Sequence, residues 1–590
     1  MLTSRKGPPV AAGPAALRAF RTRRLLLAVP VLLTVLAATH VWVTEDAFID
    51  FRVVQHLLAG HGPVFNVGER VEAYTNPLWV ALLTILAAPL YPILHERVPI
   101  EVTSVVLGLA STIAGVVFAQ QGALQIARAR GQRGIPLPLG ALAIAAVPPV
   151  WSFATAGLEV GLAMGWLGLC FRGLSRYPRE GRRWLPVVVG LGPLIRPDLA
   201  VYSVGFMAVL LLLRREGRLR VLAAAAALPI AYQIFRMGYF AALVPSTAIA
   251  KEASLARWDQ GFLYLVDFAK PYHLGIPVAV ALFLLITGAR TGFRRTGRRR
   301  VRLLAVMLVP AVCALVQAAY VTRVGGDFMH GRMLVPVWFA LLMPVAVVPW
   351  TRGTARVALV MVPWALLCMA VLRVPYIGKG KDGIGPHFIA DERYYYTDRI
   401  GIFASVTLAN YGDYGWKVEG HRLRDLAKQK RVLIVPGAKR DEMKELPLAS
   451  WVPVNVVSAR GHVGILGYAA GLGVHTLDRL GLGNAIAARI ALDRRGRPGH
   501  EKWLDPAWAI ARFSDAPADA KVTAARDALR CGDLAEVVTA VTAPLTLSRF
   551  WRNITLAPRL TRFRFPGDPI AARKALCGPG DAAKRTPAAR

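Results

Sequence analysis

The sequence predicts an α-helical polytopic membrane body followed by a mixed α/β domain. Three observations carry that prediction. Of 590 residues, 55% are hydrophobic and only 18% charged, with a mean hydropathy of +0.43, a composition proper to a many-span body. Apolar runs recur as far as Leu372, parted by short Arg clusters. From Pro375 the runs shorten, Gly and Asp rise, and strand-like pieces alternate with helical ones.

The elements follow in order. The segment 1–24 carries Arg5, Lys6, Arg18, Arg21, Arg23 and Arg24 and no acid, and the apolar run Leu25–Val43 after it lacks a small-residue cleavage site. This reads as a retained signal-anchor with a basic cytoplasmic tail. Further apolar runs are Pro77–Leu94, Val102–Ala123, Ile135–Val150, Leu158–Phe171, Leu185–Ile195, Leu199–Leu213, Leu219–Phe235, Leu274–Ala289, Leu303–Val321, Met333–Pro349 and Val357–Leu372. Several are short for a ~30 Å hydrocarbon core, Leu185–Ile195 above all, which predicts broken or tilted helices.

Charge sets the expected orientation. The formal net charge is +36, but the basic residues fall in clusters between apolar runs, which is the positive-inside pattern and excludes a nucleic-acid face. Arg128–Arg130, Arg172–Arg183, Arg214–Arg220, Arg290–Arg302 and Arg352–Arg356 are expected in the cytoplasm. Thr155–Glu159, Arg196–Asp198, Arg236–His273, Thr322–Arg332 and the tail then fall outside. If every run spanned, the tail would return to the cytoplasm. The conflict disappears if Pro77–Leu94, with Pro77, Pro89 and Pro92, lies in or dips into the outer interface. About 11 spans result, with a first outer loop over 44–100, a catalytic membrane domain over 25–374 and an extracytoplasmic α/β domain over 375–590.

Strands are expected at Arg431–Val435 and Trp451–Val457. Cys170, Cys313 and Cys368 lie in apolar runs as small hydrophobes. Cys531 and Cys577 fit a disulfide if the tail lies outside the cytoplasm. No P-loop, dinucleotide fingerprint or zinc-hydrolase motif is present, so neither ATP use nor zinc hydrolysis is supported.

The polar residues mark the candidate chemistry. Glu45, Asp46 and Asp50 fall within six residues, directly after the first apolar run. Ionised groups at a membrane boundary are costly unless water, partners or a task accounts for them; a solvated loop is the plain alternative. Carboxylates on the outer face suit glycosyl transfer from a lipid-phosphate sugar. The phosphate is itself the leaving group, a carboxylate assists the acceptor hydroxyl, and cations stabilise the departing phosphate. Arg236 and Lys251 share one outer loop and read as a phosphate clamp, or equally as a helix-end Arg and a solvated Lys. Arg323, Asp327, His330 and Arg332 form a second cluster around Gly325-Gly326. Arg196–Asp198 and Glu159 are explained as well by a buried ion pair. Tyr394, Tyr395, Tyr396, Tyr411, Tyr414 and Trp416 suit either glycan stacking or interfacial packing, and packing is favoured.

Several motifs then carry a family resemblance. Gly60-His61-Gly62-Pro63-Val64-Phe65-Asn66, Gly68-Glu69-Arg70-Val71-Glu72-Ala73 and Thr75-Asn76-Pro77-Leu78-Trp79, after the acidic cluster, resemble the GT-C superfamily of polyprenyl-phosphate-sugar glycosyltransferases. Phe235–Tyr239 with Leu243-Val244-Pro245, and Arg323-Val324-Gly325-Gly326-Asp327-Phe328-Met329-His330-Gly331-Arg332, narrow the likeness to the terminal β-(1→2)-arabinofuranosyltransferases of mycobacterial-type cell walls. Val474–Asn484 and Gly499–Lys502 extend it into the tail.

The resemblance implies a GT-C fold with juxtamembrane helices in the first outer loop, a decaprenyl-phosphate-arabinofuranose donor and an arabinan acceptor. A β-linked donor giving a β-linked product means net retention, which a single base-assisted displacement does not provide. A transient glycosyl-enzyme, or same-face attack through a loose transition state, would; glycosidases that retain configuration use two carboxylates. Asp46 and Glu45 are the expected catalytic pair, with Asp46 the main carboxylate. Asp50, Arg52, Glu72, Arg236, Lys251, Asp327, His330 and Arg332 are the expected substrate contacts. The family usually carries two adjacent Asp where this chain has Glu45-Asp46, so which carboxylate does the chemistry stays open. The one cofactor candidate is a divalent cation of the kind some superfamily members hold in this loop, which nothing in the spacing demands. Competing readings are a related transferase using another sugar, such as mannose, and a lipid-linked-sugar flippase. The scarcity of acids inside the apolar runs counts against the flippase.

Overall fold

The computed structural model describes residues 14–578, apart from 133, 178–182, 215, 292–296, 377–383, 386, 400, 402–403, 438 and 440–441. The expected basic tail lies partly outside the described residues, as do parts of the basic loops 172–183 and 290–302. An N-terminal helix, Pro14–Ala38, leads into a mostly helical body. Among the described residues, five helical stretches are long and apolar enough to cross a membrane: Pro77–Arg97, Ile100–Ala129, Arg218–Phe240, Arg300–Val324 and Arg352–Ala370. Shorter apolar helices run over Pro197–Leu213, Gly275–Thr287 and Arg332–Val345.

Proline explains why the apolar runs outnumber the long helices. The 77–97 stretch divides into Pro77–Ala87, a 3-10 turn at Ala88–Leu90, a single turn at Tyr91–Leu94 and a second 3-10 turn at His95–Arg97. The breaks fall at Pro89 and Pro92, where ring sterics and the missing N–H interrupt the ladder. The run at 185–195 divides into Trp184–Gly190 and Gly192–Ile195. The runs at 135–150 and 333–349 are not single helices. Each gives two residues to a short antiparallel pair, Pro136–Leu137 against Val348–Pro349, flanked by short helices. Such irregular backbone is tolerated at depth only where protein surrounds it, and Ala346 and Val347 are fully or nearly fully buried.

The centre of the body is the seam between Ile100–Ala129 and Val160–Arg176. Gly161 lies against the Gly108 carbonyl and Gly115 against that of Met164, so that a Cβ at either position would overlap backbone. Small residues allow this approach in helix pairs whose association rests on packing.

The C-terminal part contains a four-stranded mixed sheet, matching the expected α/β character. We label its strands β1 (Val432–Pro436), β2 (Met443–Pro447), β3 (Val456–Arg460) and β4 (Val474–Asp478); their spatial order is β2-β1-β3-β4. The β1–β2 pair is an antiparallel hairpin, whereas β1–β3 and β3–β4 are parallel, with Ile465–Ala470 in the last crossover. Alternate residues of β1 enter two cores: Val432 and Ile434 pack with Leu423 and Leu466, while Leu433 and Val435 pack with Leu477 and Trp508. A sheet covered on both faces explains the unbroken apolar run of β1. The expected strand at Trp451–Val457 begins only at Val456, because Trp451 and Pro453 stand in the preceding loop. Cys531 and Cys577 are joined by a disulfide, and the other three cysteines are buried thiols.

Candidate active site

The site begins at the helix Glu45–Leu58, whose first turn carries Glu45 and Asp46. Carboxylates are favoured there by the partial positive charge of the helix start. The rest of the helix is buried, and Phe48 and Phe51 both meet Tyr468 of the C-terminal part. Its first turn opens onto a cavity of about 310 Å³. The 45–58 helix supplies Glu45, Asp46 and Ile49, and the two central loops supply Lys251 and Phe328. A strap at 387–396 adds Glu392, Tyr395 and Tyr396. Trp416, His462, Asp478, Arg497 and His500 complete the wall from the C-terminal part.

Within the cavity the two adjacent acids have different surroundings. Glu45 Oε1 accepts a hydrogen bond from the Gly464 amide at 2.6 Å. Burial, with Asp46 as the next cause, pushes its carboxyl up to about 8 against the opposing pull of that amide. Asp46 is 23% exposed and faces Arg332, with Nη1 3.4 Å from Oδ2. Asp46 is thus the carboxylate with a cation beside it and an open face.

Cations gather on the neighbouring loops. Arg332 also lies 3.4 Å from Asp327 Oδ2 and 3.9 Å from Glu159 Oε1. Lys251 Nζ stands 3.7 Å from Asp327 Oδ1. Burial works to raise Asp327, but Lys251 and Arg332 outweigh it and hold the carboxyl below its ordinary value. Phe328 carries Arg497 4.5 Å from its ring centre and Lys251 at 5.7 Å. Two cations over one ring, beside paired carboxylates, form a pole suited to a phosphate.

Glu392 was not anticipated. Its Oε2 accepts from Thr44 Oγ1 at 2.6 Å, and Arg497 lies 3.9 Å from Oε1. Burial, then the charge of Asp46, raises its carboxyl. The strap reaches the cavity through paired backbone bonds, Ala390 N to Phe328 O at 2.7 Å and His330 N to Ala390 O at 2.9 Å. No local pattern around Asp391-Glu392-Arg393 distinguishes it from a solvated run. Arg497 was missed in the same way, and His500, although it stands within the Gly499–Lys502 motif, was not singled out as a site residue.

Four expected substrate contacts lie elsewhere. Arg52 is fully buried and donates to the carbonyls of Phe65, Gly467, Gly471 and Val474 and to Asn66 Oδ1. With its donors engaged on backbone, it docks the first loop against the C-terminal sheet and does not line the cavity. Glu72 and Arg236 form a buried pair, with Nε 2.6 Å from Oε2 and Tyr232 donating to Oε1 at 2.6 Å; this pair is also away from the cavity. Asp50 is buried behind Asp46 and accepts from Asn76 Nδ2 at 2.8 Å. Burial pushes it up to about 8, despite the opposing Asn76 bond.

His330 turns away as well. Its Nδ1 lies 2.6 Å from Asp267 Oδ2 and its Nε2 3.0 Å from the Tyr272 hydroxyl. The divalent-cation expectation therefore finds no ligand set. Glu45, Asp46 and Glu392 each face a different partner, His330 is engaged elsewhere, and no group of three or more His, Cys, Asp or Glu suited to a metal occurs among the described residues. Arg196 and Asp198 form a bidentate buried pair, as the ion-pair alternative anticipated. Of the aromatics, Tyr395, Tyr396 and Trp416 reach the cavity, while Tyr411 packs on Phe48 behind it.

A mostly helical body with long apolar helices thus carries a cavity of carboxylates and cations walled in part by the α/β domain, and its relatives make the chain a glycosyltransferase. Residues 442–570 match the family described as the AftB family C-terminal domain. The chain is 34% identical to the terminal β-(1→2)-arabinofuranosyltransferase of Mycobacterium tuberculosis, over 89% of this chain and 92% of that one. It is 33% identical to the protein of the same name from Corynebacterium glutamicum, over 88% and 82% respectively. The chain belongs to the terminal β-(1→2)-arabinofuranosyltransferase family.

Proposed function

We propose that the protein transfers arabinofuranose from decaprenyl-phosphate-arabinofuranose to the non-reducing ends of cell-wall arabinan, in arabinogalactan or lipoarabinomannan, forming terminal β-(1→2) linkages. The observation that carries this reading is the meeting of Asp46 with Arg332, Lys251 and Arg497 around one cavity. Asp46 is the main catalytic carboxylate, and Glu45, anchored to the Gly464 amide, sets its position. Lys251 and Arg497, with Arg332 behind them, receive the donor phosphate and stabilise the charge that grows on it as the anomeric bond breaks. Trp416 and the strap tyrosines offer ring faces to the acceptor glycan.

The reaction takes place on the extracytoplasmic side. The positive-inside pattern supports that orientation, as does the Cys531–Cys577 disulfide, since such bonds persist in oxidising compartments. A GT-C body of about 11 spans occupies 25–374, and the domain at 375–590 covers it from outside. The proline-broken 77–97 stretch lies along the outer interface.

Linkage analysis of wall arabinan after deletion tests the product. The expected result is loss of terminal β-(1→2) residues, and unchanged termini would overturn the assignment. Radiolabelled arabinofuranosyl and mannosyl polyprenyl phosphates, compared side by side, test the donor; incorporation from the mannosyl donor alone would replace it.

A further inference from the structure

Glu392 has no role in the reading above, yet it enters the same cavity from a strap 346 residues further along the chain than Asp46. Its position is built. Thr44, the residue before Glu45, donates to one carboxyl oxygen, and the Ala390 and His330 backbone bonds fix the strap beneath it. The other oxygen faces Arg497, one of the cations on Phe328. The groups that influence it are Asp46 from the 45–58 helix, Asp327 from the central loop and Arg497 from the C-terminal part. Tyr396 follows on the strap itself. We propose that Glu392 is the general acid of the transfer, giving its proton to the departing lipid phosphate while Asp46 takes the proton of the acceptor hydroxyl.

The proposal rests on the phosphate-sugar reading of the site, and the step balances. The bond between the anomeric carbon and the phosphate oxygen breaks, and its electron pair leaves with the phosphate. A new bond forms from the anomeric carbon to the acceptor oxygen on the face that the phosphate leaves, through the loose transition state that keeps the β configuration. The acceptor proton passes to Asp46, and the Glu392 proton passes to the phosphate, which departs as the monoanion. Asp46 then returns a proton to Glu392, and the pair is reset. Burial and the Asp46 charge, which raise the Glu392 carboxyl, keep it protonated before the reaction.

The test uses the full chain in lipid nanodiscs, a synthetic arabinan acceptor and two arabinofuranosyl phosphate donors. One donor carries a prenyl group; the other carries a p-nitrophenyl group, whose phosphate is the better leaving group. Glu392→Gln keeps an acceptor for Thr44. It is expected to lower kcat with the prenyl donor by ~10²-fold or more, with little change in KM, and to lose far less with the aryl donor. Thr44→Val, which frees the Glu392 carboxyl, is expected to show a weaker loss of the same donor dependence, with an unchanged melting temperature. Equal losses with both donors, or a loss confined to KM, would overturn the proposal. Asp46→Asn is expected to be impaired with both donors; if it stays active, the reading of the whole site fails instead.

Discussion

Glu45 gives the sharpest test of the acidic cavity, because its charge opposes folding. Its ordinary value is 4.5, and burial with the Asp46 charge moves it to about 8 in the folded protein. The folded state therefore holds a proton that the unfolded chain releases between these values. Stability falls as pH rises through that window; the penalty is absent below about pH 4.5 and complete above about pH 8. At ~1.4 kcal/mol per pH unit the ceiling is ~5 kcal/mol. Glu45 lines the cavity and is only partly buried, so we expect about 2 kcal/mol after screening. Glu45→Gln keeps the oxygen that accepts from Gly464 and removes the charge. Melting of purified protein from pH 5 to pH 8.5 should show parent and variant together at the acid end. At the basic end the variant should be higher by roughly 2 °C for a chain of this length. Asp50 and Glu392 are present in both proteins, so their contributions largely cancel in the comparison. A gap that does not change with pH, or a variant less stable at pH 8.5, would refute the reasoning.

Asp46→Asn is nearly isosteric and should reduce transfer to arabinan by ~10²–10⁴-fold without altering the melting temperature; retained turnover would remove Asp46 from the chemistry. Gly464→Ala places a Cβ against the Glu45 carbonyl oxygen and carboxyl, so it should lower the melting point by an amount equivalent to ~1–3 kcal/mol, together with activity. Arg52→Met leaves buried carbonyls of the 467–474 segment without donors, a loss of ~3 kcal/mol or more; limited proteolysis should then cut the C-terminal part faster than in the parent. Transfer should persist in EDTA, and abolition reversed by added Mg²⁺ would show that the cavity holds a cation after all.

Legibility in the sequence followed the range of each interaction. Asp46, Lys251, Asp327 and Arg332 could be read because each stands in a polar cluster at the end of an apolar run, where an ion needs a reason. The sheet was legible at β1, where the apolar run is unbroken, and blurred at Trp451–Asn455, where aromatic and β-branched residues belong to a loop. Arg52 and Arg236 carried the right charge in the right loops, but sequence shows a charge without its partner. Three of the Arg52 partners are backbone carbonyls more than 400 residues away, and the partner of Arg236 is Glu72. Glu392 had the opposite problem, since a lone acid among ordinary tail residues acquires meaning only when the strap brings it to Thr44. The body was legible as apolar runs but not as helices, because prolines cut several runs into turns that hydropathy alone does not resolve.

The Arg52 contacts bear on how the protein is made. The 45–58 helix leaves the ribosome more than 400 residues before the segment that completes it, since its guanidinium waits for the carbonyls of Gly467, Gly471 and Val474. Asn66 likewise waits for the backbone of Thr476, to which it bonds through both its oxygen and its nitrogen at 3.0 Å. An early segment thus carries a buried cation that has only its local partners, the Phe65 carbonyl and Asn66, until the 467–474 segment has been translated. A nascent chain halted before residue 467 would hold an incomplete reaction centre. For the same reason, exchanging C-terminal domains between relatives should succeed only when residues 45–66 travel with them.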